Sequence, residues 1–164
     1  MTKDIILDIE TDGLNPIQNI VTAIGIKTDK VEYVIMEQDE AKMLERFWSF
    51  LNKFDSFRLI GFNNYQFDHY FLNIRSFKHK VIIKDVRSKI LDLRSVLAFG
   101  GKFKNGTLND YAQLLGEEKY AGLTGELVID AWKNKKFSII EKYLRQDLRI
   151  TYKIYLRCKE IGLI

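Results

Sequence analysis

Two carboxylates near the start of the chain, Asp8 and Glu10, have a spacing that suggests metal chemistry. They continue an apolar run at residues 5–7 whose β-branched members are typical of a buried strand. Residues two apart on a strand project from the same face, so these acids should lie side by side. Neighbouring carboxylates repel unless a cation lies between them, and Mg2+ or Mn2+ suits an all-oxygen site. The alternative is a strand that ends in an ordinary acidic turn at Asp12-Gly13.

A second group of polar residues follows a predicted strand at 58–61 and ends at Asp68. An acid among aromatic residues on a helix is normally exposed to water or paired. Asn63 and Asn64 stand at the turn into the helix predicted for 65–77. They could cap that helix or help to hold a phosphate, and both interpretations stay open.

A third group, Tyr143 and Asp147, lies on the last predicted helix, 137–156. Residues four apart on a helix share a face, so the phenol and the carboxylate address the same point. Taken without the rest of the chain, this pair is better explained by ordinary ion pairing and packing than by a site. Asp147 would pair with Arg145 or Arg149, and Tyr143 would be half-buried packing.

In this order, the three groups resemble the DEDD superfamily of 3′–5′ exonucleases, which has an RNase H-like fold. With Tyr143 the chain resembles the DEDDy branch of this superfamily, since the other branch has a histidine where this chain has Lys142. Two segments are most similar to the proofreading exonuclease domain of family B DNA polymerases. They are Gly61-Phe62-Asn63 with Phe67-Asp68, and residues 143–147. No polymerase domain fits in 164 residues, so we expect a free-standing version.

The resemblance implies an enzyme that removes nucleotides from the 3′ end of single-stranded DNA and releases 5′-monophosphates. It implies two divalent ions, Mg2+ or Mn2+, about 3.5–4 Å apart. Asp8 would bridge both ions, and Glu10 and Asp147 would complete the first site. Asp68 would support the second site through bound water. Tyr143 would orient the attacking water, because a phenol whose ordinary pKa is about 10 is a poor base at neutral pH.

The resemblance also implies contacts to the terminal nucleotide. The expected substrate contacts are Thr11, Leu14, Asn63, Asn64 and Phe67. For Leu14, an apolar contact to the terminal base and an ordinary loop-to-core contact are equal alternatives. Three aromatic residues near Asp68 could stack on bases, and we expect at least two of them to pack in the core. They are Phe62, Tyr65 and Phe67.

Two rival functions stay open. A 3′–5′ exoribonuclease would have the same site, because 2′-hydroxyl contacts leave no readable signature here. A catalytically silent nucleic-acid-binding module would keep the fold without the reaction. A polymerase or repair protein as partner is compatible with the sequence, and nothing in it identifies one.

Composition indicates a soluble globular protein with one domain over residues 1–164, since 46% of residues are hydrophobic and 29% are charged. No run approaches the roughly 20 apolar residues that span a bilayer. The chain leads directly into a strand rather than a secretory signal. Cys158 is the single cysteine, which excludes an intrachain disulfide and a cysteine-rich metal site. We therefore expect an intracellular, cytoplasmic protein without membrane contacts.

The net charge of +4 is unevenly distributed. The segment 75–104, from Arg75 onward, carries nine Lys or Arg residues against two acids, Asp85 and Asp92. Beside an acidic metal site this segment suggests a surface for the phosphate backbone, and a solvated face is the alternative. His69 and His79 lack the spacing of zinc ligands, and we expect both at the surface.

Strands followed mainly by helices predict an α/β fold with a mixed central sheet flanked by helices, RNase H-like by resemblance. The glycines of the basic loop 100–106 do not fit a nucleotide-binding pattern. Further strands are predicted at 20–27 and 31–36, with a short strand at 81–83. Further helices are predicted at 39–54, 107–115 and 126–132, and the segment 90–97 is either a strand or a helix.

Overall fold

The computed structural model describes residues 2–100, 106–117 and 124–164. Within these ranges five strands form one sheet, and six helices accompany it. The strands are β1 (Lys3–Thr11), β2 (Val21–Lys27), β3 (Glu32–Ile35), β4 (Phe57–Gly61) and β5 (Ile90–Asp92). The helices are α1 (Glu40–Leu51), α2 (Asp68–His79), α3 (Leu93–Leu97), α4 (Leu108–Leu114), α5 (Gly125–Lys133) and α6 (Phe137–Glu160).

The sheet is mixed, and β1 lies at its centre in the order β3-β2-β1-β4-β5. β2 runs antiparallel to both β1 and β3, whereas β4 runs parallel to both β1 and β5. Helices cover both faces, which confirms the predicted α/β architecture. No helix in the described ranges is long and apolar enough to cross a membrane.

The side chains of β1 alternate between the two faces of the sheet, and each face packs against different helices. The odd-numbered residues Ile5, Leu7 and Ile9 pack with α1 and α2 in one apolar cluster. Ile6 faces the other way and packs with Leu148 of α6. Because side chains alternate along a strand, the even-numbered acids Asp8 and Glu10 project to the α6 face.

A glycine in β2 lets α6 lie close to the sheet. A Cβ atom built on Gly25 would lie 2.8 Å from Leu144 Cγ and from Leu148 Cδ1. Any larger residue would push this helix outward. The close approach brings the other residues of the same helical face, Tyr143 and Asp147, toward β1.

The site region begins where β1 continues beyond β4. Pairing between these parallel strands stops at Ile6, so residues 8–11 of β1 have no β4 partner. On the other edge, the register with β2 shifts between Glu10 and Thr11. Diverging carboxyl ends of strands leave a crevice in which ligands commonly bind, and bulges often lie beside such sites.

Several predicted boundaries change in the structure. The segment 90–97 is both a strand and a helix, because Asp92 ends β5 and its carboxylate accepts the amides of Arg94 and Ser95 to cap α3. The short strand predicted at 81–83 is wrong, since this segment forms no strand and Ile82 is 87% exposed. The predicted surface position of His69 is also wrong: this side chain is buried, and burial lowers its pKa to about 4.

Candidate active site

Three carboxylates converge above β1. Asp8 and Glu10 from β1 and Asp147 from α6 each offer an oxygen within 4.8 Å of the others. Glu10 and Asp147 are buried, and Asp8 is half-buried. Carboxylates this close and this poorly hydrated favour a cation between them. An all-oxygen donor set suits a hard divalent ion such as Mg2+ or Mn2+.

Asp68 reaches the same stretch of β1 from the first turn of α2. Its carboxylate accepts the amide hydrogen of Ile9 at 3.0 Å, midway between the two strand acids. Since β4 pairs with β1 only as far as Ile6, Asp68 supplies an acceptor where no strand does. Burial, with a smaller contribution from the charge of Asp92, raises the pKa of Asp68 to about 7. A nearby divalent cation would favour its ionised form.

Tyr143 lies one helical turn before Asp147 on the buried face of α6. It packs in an apolar cluster with residues of β2 and α5, among them Ala23. The arginines that could have paired with Asp147 bond elsewhere: Arg149 Nη2 donates to Glu32 at 3.0 Å, and Arg145 Nη2 donates to Glu141 at 2.8 Å. The structure brings Asp147 to the β1 acids, and Tyr143 lies one helical turn before it.

A cavity of about 640 Å3 opens beside Glu10. Three residues of the β1 end and the loop after it contribute, namely Thr11, Gly13 and Leu14, with Phe67 opposite. The side chain of Leu14 is 83% exposed, so the loop-to-core contact considered for it is absent. The hydroxyl of Thr11 donates to the Gly13 carbonyl oxygen at 2.6 Å, which fixes the turn that presents Leu14.

The remaining wall of this cavity comes from α5, which the sequence analysis predicted as a helix but to which it gave no role. Its first turn and its N-cap contribute Thr124, Gly125, Glu126 and Ile129. The Thr124 side chain accepts the Leu127 amide at the start of this helix. No local spacing in the sequence links α5 to β1, so only the fold shows that they meet.

The turn after β4 corrects part of the predicted substrate surface. Asn64 is fully buried beneath Gly61, where an added Cβ would lie 2.6 Å from Asn64 Cβ. Its side chain therefore shapes the turn and has no access to a surface ligand. Asn63 remains half-buried at φ +64°, and its amide donates to Asp92 at 3.0 Å. The capping interpretation is wrong for both, because the N-cap of α2 is Phe67 without a side-chain cap bond.

The aromatic residues around Asp68 divide as expected. Phe62 packs edge-on against Tyr111, with ring centroids 5.3 Å apart, and Phe67 packs against Phe71 at 5.2 Å. Tyr65 is 60% exposed. Two of the three therefore serve packing, and only Phe67 among them also lines the cavity beside Glu10.

Some cations of the predicted phosphate surface at 75–104 make structural contacts instead. Arg75 is buried and pairs with Glu40, so its assignment to a surface is wrong. Lys84 Nζ donates to the Phe54 carbonyl oxygen at 2.8 Å. Arg87 pairs with Asp85 at 2.7 Å. The two lysines at 102 and 104, with most of the basic loop 100–106, lie outside the described residues.

Glu40 and Arg75 form a buried ion pair that no motif predicted. Arg75 Nη2 donates to Glu40 at 2.6 Å and Arg75 Nη1 donates to the Pro16 carbonyl oxygen at 3.1 Å. The other Glu40 oxygen accepts the Val21 amide hydrogen at 2.8 Å. His79 Nε2 lies 2.7 Å from the Glu40 oxygen that accepts from Arg75 Nη2. This network ties α1 and α2 to the middle and to the far end of the loop that presents Leu14.

The network predicts a pH dependence of stability. Burial alone raises the pKa of Glu40, but hydrogen bonds from Arg75, the Val21 amide and His79 outweigh it and hold the pKa below the ordinary 4.5. The unfolded chain therefore binds the proton first as pH falls, and stability is lost below about pH 4.5. We expect the difference in free energy of unfolding between wild type and Glu40→Gln to shrink with acid, measured by urea unfolding from pH 7 to pH 3.

Comparison with known proteins identifies the class. The chain belongs to a family described as predicted 3′–5′ exonucleases related to the exonuclease domain of PolB, whose model matches residues 17–162. That matched range begins after Asp8 and Glu10, so the convergence of these acids with Asp147 is an independent observation. Family membership confirms the resemblance that the three groups of residues indicated.

Two particular proteins are similar to this chain. The chain is 34% identical over 172 residues to the uncharacterized protein MJ0365 of Methanocaldococcus jannaschii, with 97% of each chain covered. The structure of the present chain is similar to that of the family B DNA polymerase from the hyperthermophilic archaeon Pyrobaculum calidifontis, with a TM-score of 0.84 at 20% identity. The match covers 99% of this chain and 25% of the polymerase. The chain thus spans about a quarter of that polymerase, and the likeness confirms the RNase H-like fold.

Proposed function

We propose that this chain is a metal-dependent 3′–5′ exonuclease of the DEDDy type that shortens single-stranded DNA and releases nucleoside 5′-monophosphates. One observation carries the proposal: oxygens of Asp8, Glu10 and Asp147 lie within 4.8 Å of one another, at the end of a central strand. Two further positions support it: Asp68 accepts the amide hydrogen of Ile9, and Tyr143 lies one helical turn from Asp147. Membership of a predicted exonuclease family supports the reaction class.

We propose that these acids hold two divalent ions, Mg2+ or Mn2+. Asp8, Glu10 and Asp147 would hold one ion, and Asp8 with Asp68 would hold the other. Four carboxylates offset the charge of two such ions, and each acid is at least half-buried. When bound, divalent ions supply an activated water and stabilise charge on the phosphate and the leaving oxygen.

The cavity beside Glu10 is the proposed seat of the terminal nucleoside. Its volume of about 640 Å3 lies within the range of small-ligand sites. Leu14 and Phe67 offer apolar walls for the base, with Ile129 from α5 as a third. Thr11 lies at the junction of cavity and acids, where it could contact the terminal sugar. Asn63, half-buried on the turn after β4, remains a proposed contact.

Tyr143 is proposed to position the attacking water. We expect Tyr143→Phe to lower the single-turnover cleavage rate by about 10- to 100-fold, because loss of the hydroxyl leaves the water less well oriented. Binding of single-stranded DNA in chelator should be unchanged. Tyr70→Phe, an exposed tyrosine on α2, is the matched control. A Tyr143→Phe variant with the wild-type rate would contradict the role.

The proposed function is tested with 3′-labelled and 5′-labelled single-stranded DNA and RNA of one sequence. Purified protein is incubated with Mn2+ or Mg2+ and then with chelator. A ladder that shortens from the 3′ end and disappears with chelator supports the exonuclease, and the polymer degraded separates DNA from RNA as substrate. Salt-sensitive binding of either polymer without cleavage would instead establish a binding module.

A further inference from the structure

A basic stripe runs along the outer face of α6. Lys142, Arg145, Arg149 and Lys153 follow one another at intervals of three or four residues, which places them on one side of the helix. Lys27, at the end of β2, faces the stripe. Together with Gln146 these residues line a groove of about 540 Å3.

The groove has more positive charge than its ion pairs neutralise. A single carboxylate, Glu32, is shared by Lys27 at 3.1 Å, Arg145 at 3.3 Å and Arg149 at 3.0 Å. Glu117, the acid among the described residues that line the groove, pairs with Lys153. Arg145 also pairs with Glu141 at 2.8 Å. The five cations of the groove therefore stand against three carboxylates, and the surplus of positive charge attracts polyanions.

The groove begins beside the candidate active site. Lys142 and Gln146 directly precede Tyr143 and Asp147, so they lie on the flank of the same two helical turns. From there the stripe extends to Lys153. With a rise of 1.5 Å per residue this distance is about 16 Å, which is the length of about five stacked nucleotides at 3.4 Å each.

We propose that this groove holds the sugar-phosphate backbone of the nucleic-acid strand upstream of the bond that is cleaved. The inference rests on the proposed function and extends it, since it assigns the path of the strand away from the 3′ end. Guanidinium groups bind phosphate through two parallel hydrogen bonds, and phosphates would replace part of the contact of Arg145 and Arg149 with Glu32. The proposed path of the strand therefore follows α6.

The test compares the double variant Arg149→Gln/Lys153→Gln with Lys53→Gln/Lys78→Gln. Both pairs remove two positive charges from exposed positions, but the control pair lies on the layer of α1 and α2. Fluorescence anisotropy in chelator measures the Kd for labelled oligothymidylates of about four and about twelve nucleotides. Melting temperatures verify that both variants are folded.

Wild type should bind the longer strand more tightly, and the groove variant should lose about tenfold of that affinity. The slope of log Kd against log salt should fall by about 1.4, since two phosphate contacts are removed at about 0.7 each for single strands. The control pair should bind like wild type. Unchanged binding of the longer strand by the groove variant, or an equal loss in the control pair, would overturn the inference.

These binding measurements need no cleavage, so they separate the groove from the reaction. If wild type cleaves nothing in Mn2+ but the groove variant still loses affinity, the exonuclease proposal fails and the groove stands as a binding surface. If wild type cleaves 3′ ends and the groove variant binds normally, the reaction stands and the strand takes another path.

Discussion

Asp8→Asn should lower the rate of 3′-end cleavage by about a thousandfold or more, equivalent to about 4 kcal/mol of transition-state stabilisation. The substitution keeps the size of the side chain and removes the charge that would face both ions. Because Asp8 lies within 4.8 Å of Glu10 and Asp147, no neighbouring acid replaces it without rearrangement. Single-turnover cleavage of labelled single-stranded DNA, with enzyme in excess, measures the loss.

A second readout ties this loss to the metal rather than to misfolding. In chelator, Asp8→Asn should melt at the wild-type temperature or above it, since one of three crowded carboxylates is gone. Mn2+ should raise the melting temperature of wild type more than that of the variant, because an ion that binds only the folded state stabilises it. Asp55→Asn, at an exposed position, is the control. Wild-type cleavage by Asp8→Asn would refute the site.

Periodicity along single elements accounts for what the sequence could predict of the site. The two-residue repeat of β1 placed Asp8 and Glu10 on one face, and the helical repeat of α6 placed Tyr143 and Asp147 on one face. These rules do not require the two faces to meet. Their order along the chain supplied that expectation through the family resemblance, and close packing of α6 on Gly25 accounts for it physically.

Contacts between distant residues explain what the sequence could not predict. Asp68 accepts an amide 59 positions earlier in the chain, and Arg75 pairs with a carboxylate 35 positions earlier. Neither separation matches a repeat of any element. The count of charges over 75–104 wrongly included Arg75 as a surface residue, because a count does not distinguish a buried arginine from an exposed lysine.

For the basic stripe on α6, by contrast, the spacing along one element is informative. Its spacing of three and four residues is visible in the sequence, where residues 142–153 carry four cations and one acid, Asp147, but the cations are interleaved with buried positions. The helix is therefore basic on one side and apolar on the other. Only its orientation against β1 shows that the basic side leads away from the candidate active site.

Arg75→Met should lower the free energy of unfolding by about 3–5 kcal/mol, the usual cost of leaving one partner of a buried ion pair alone. Arg75 is 1% exposed, and Glu40 would keep its charge in an apolar environment without its guanidinium partner. Urea unfolding at pH 7 measures the change. Arg75→Lys keeps the charge but loses the paired hydrogen bonds, so its free energy of unfolding should lie between those of wild type and Arg75→Met.

A double-mutant cycle separates the ion pair from ordinary packing. Glu40→Gln/Arg75→Met leaves neither buried charge, so it should be no less stable than Arg75→Met alone, and the two single losses should not add. Additive losses would show that the pair is not coupled. Because the network holds the Pro16 carbonyl and the Val21 amide, Arg75→Met should also loosen the loop that presents Leu14. Faster amide hydrogen exchange in residues 12–20 would show this loosening, and it would connect the buried pair to the seat of the terminal nucleoside.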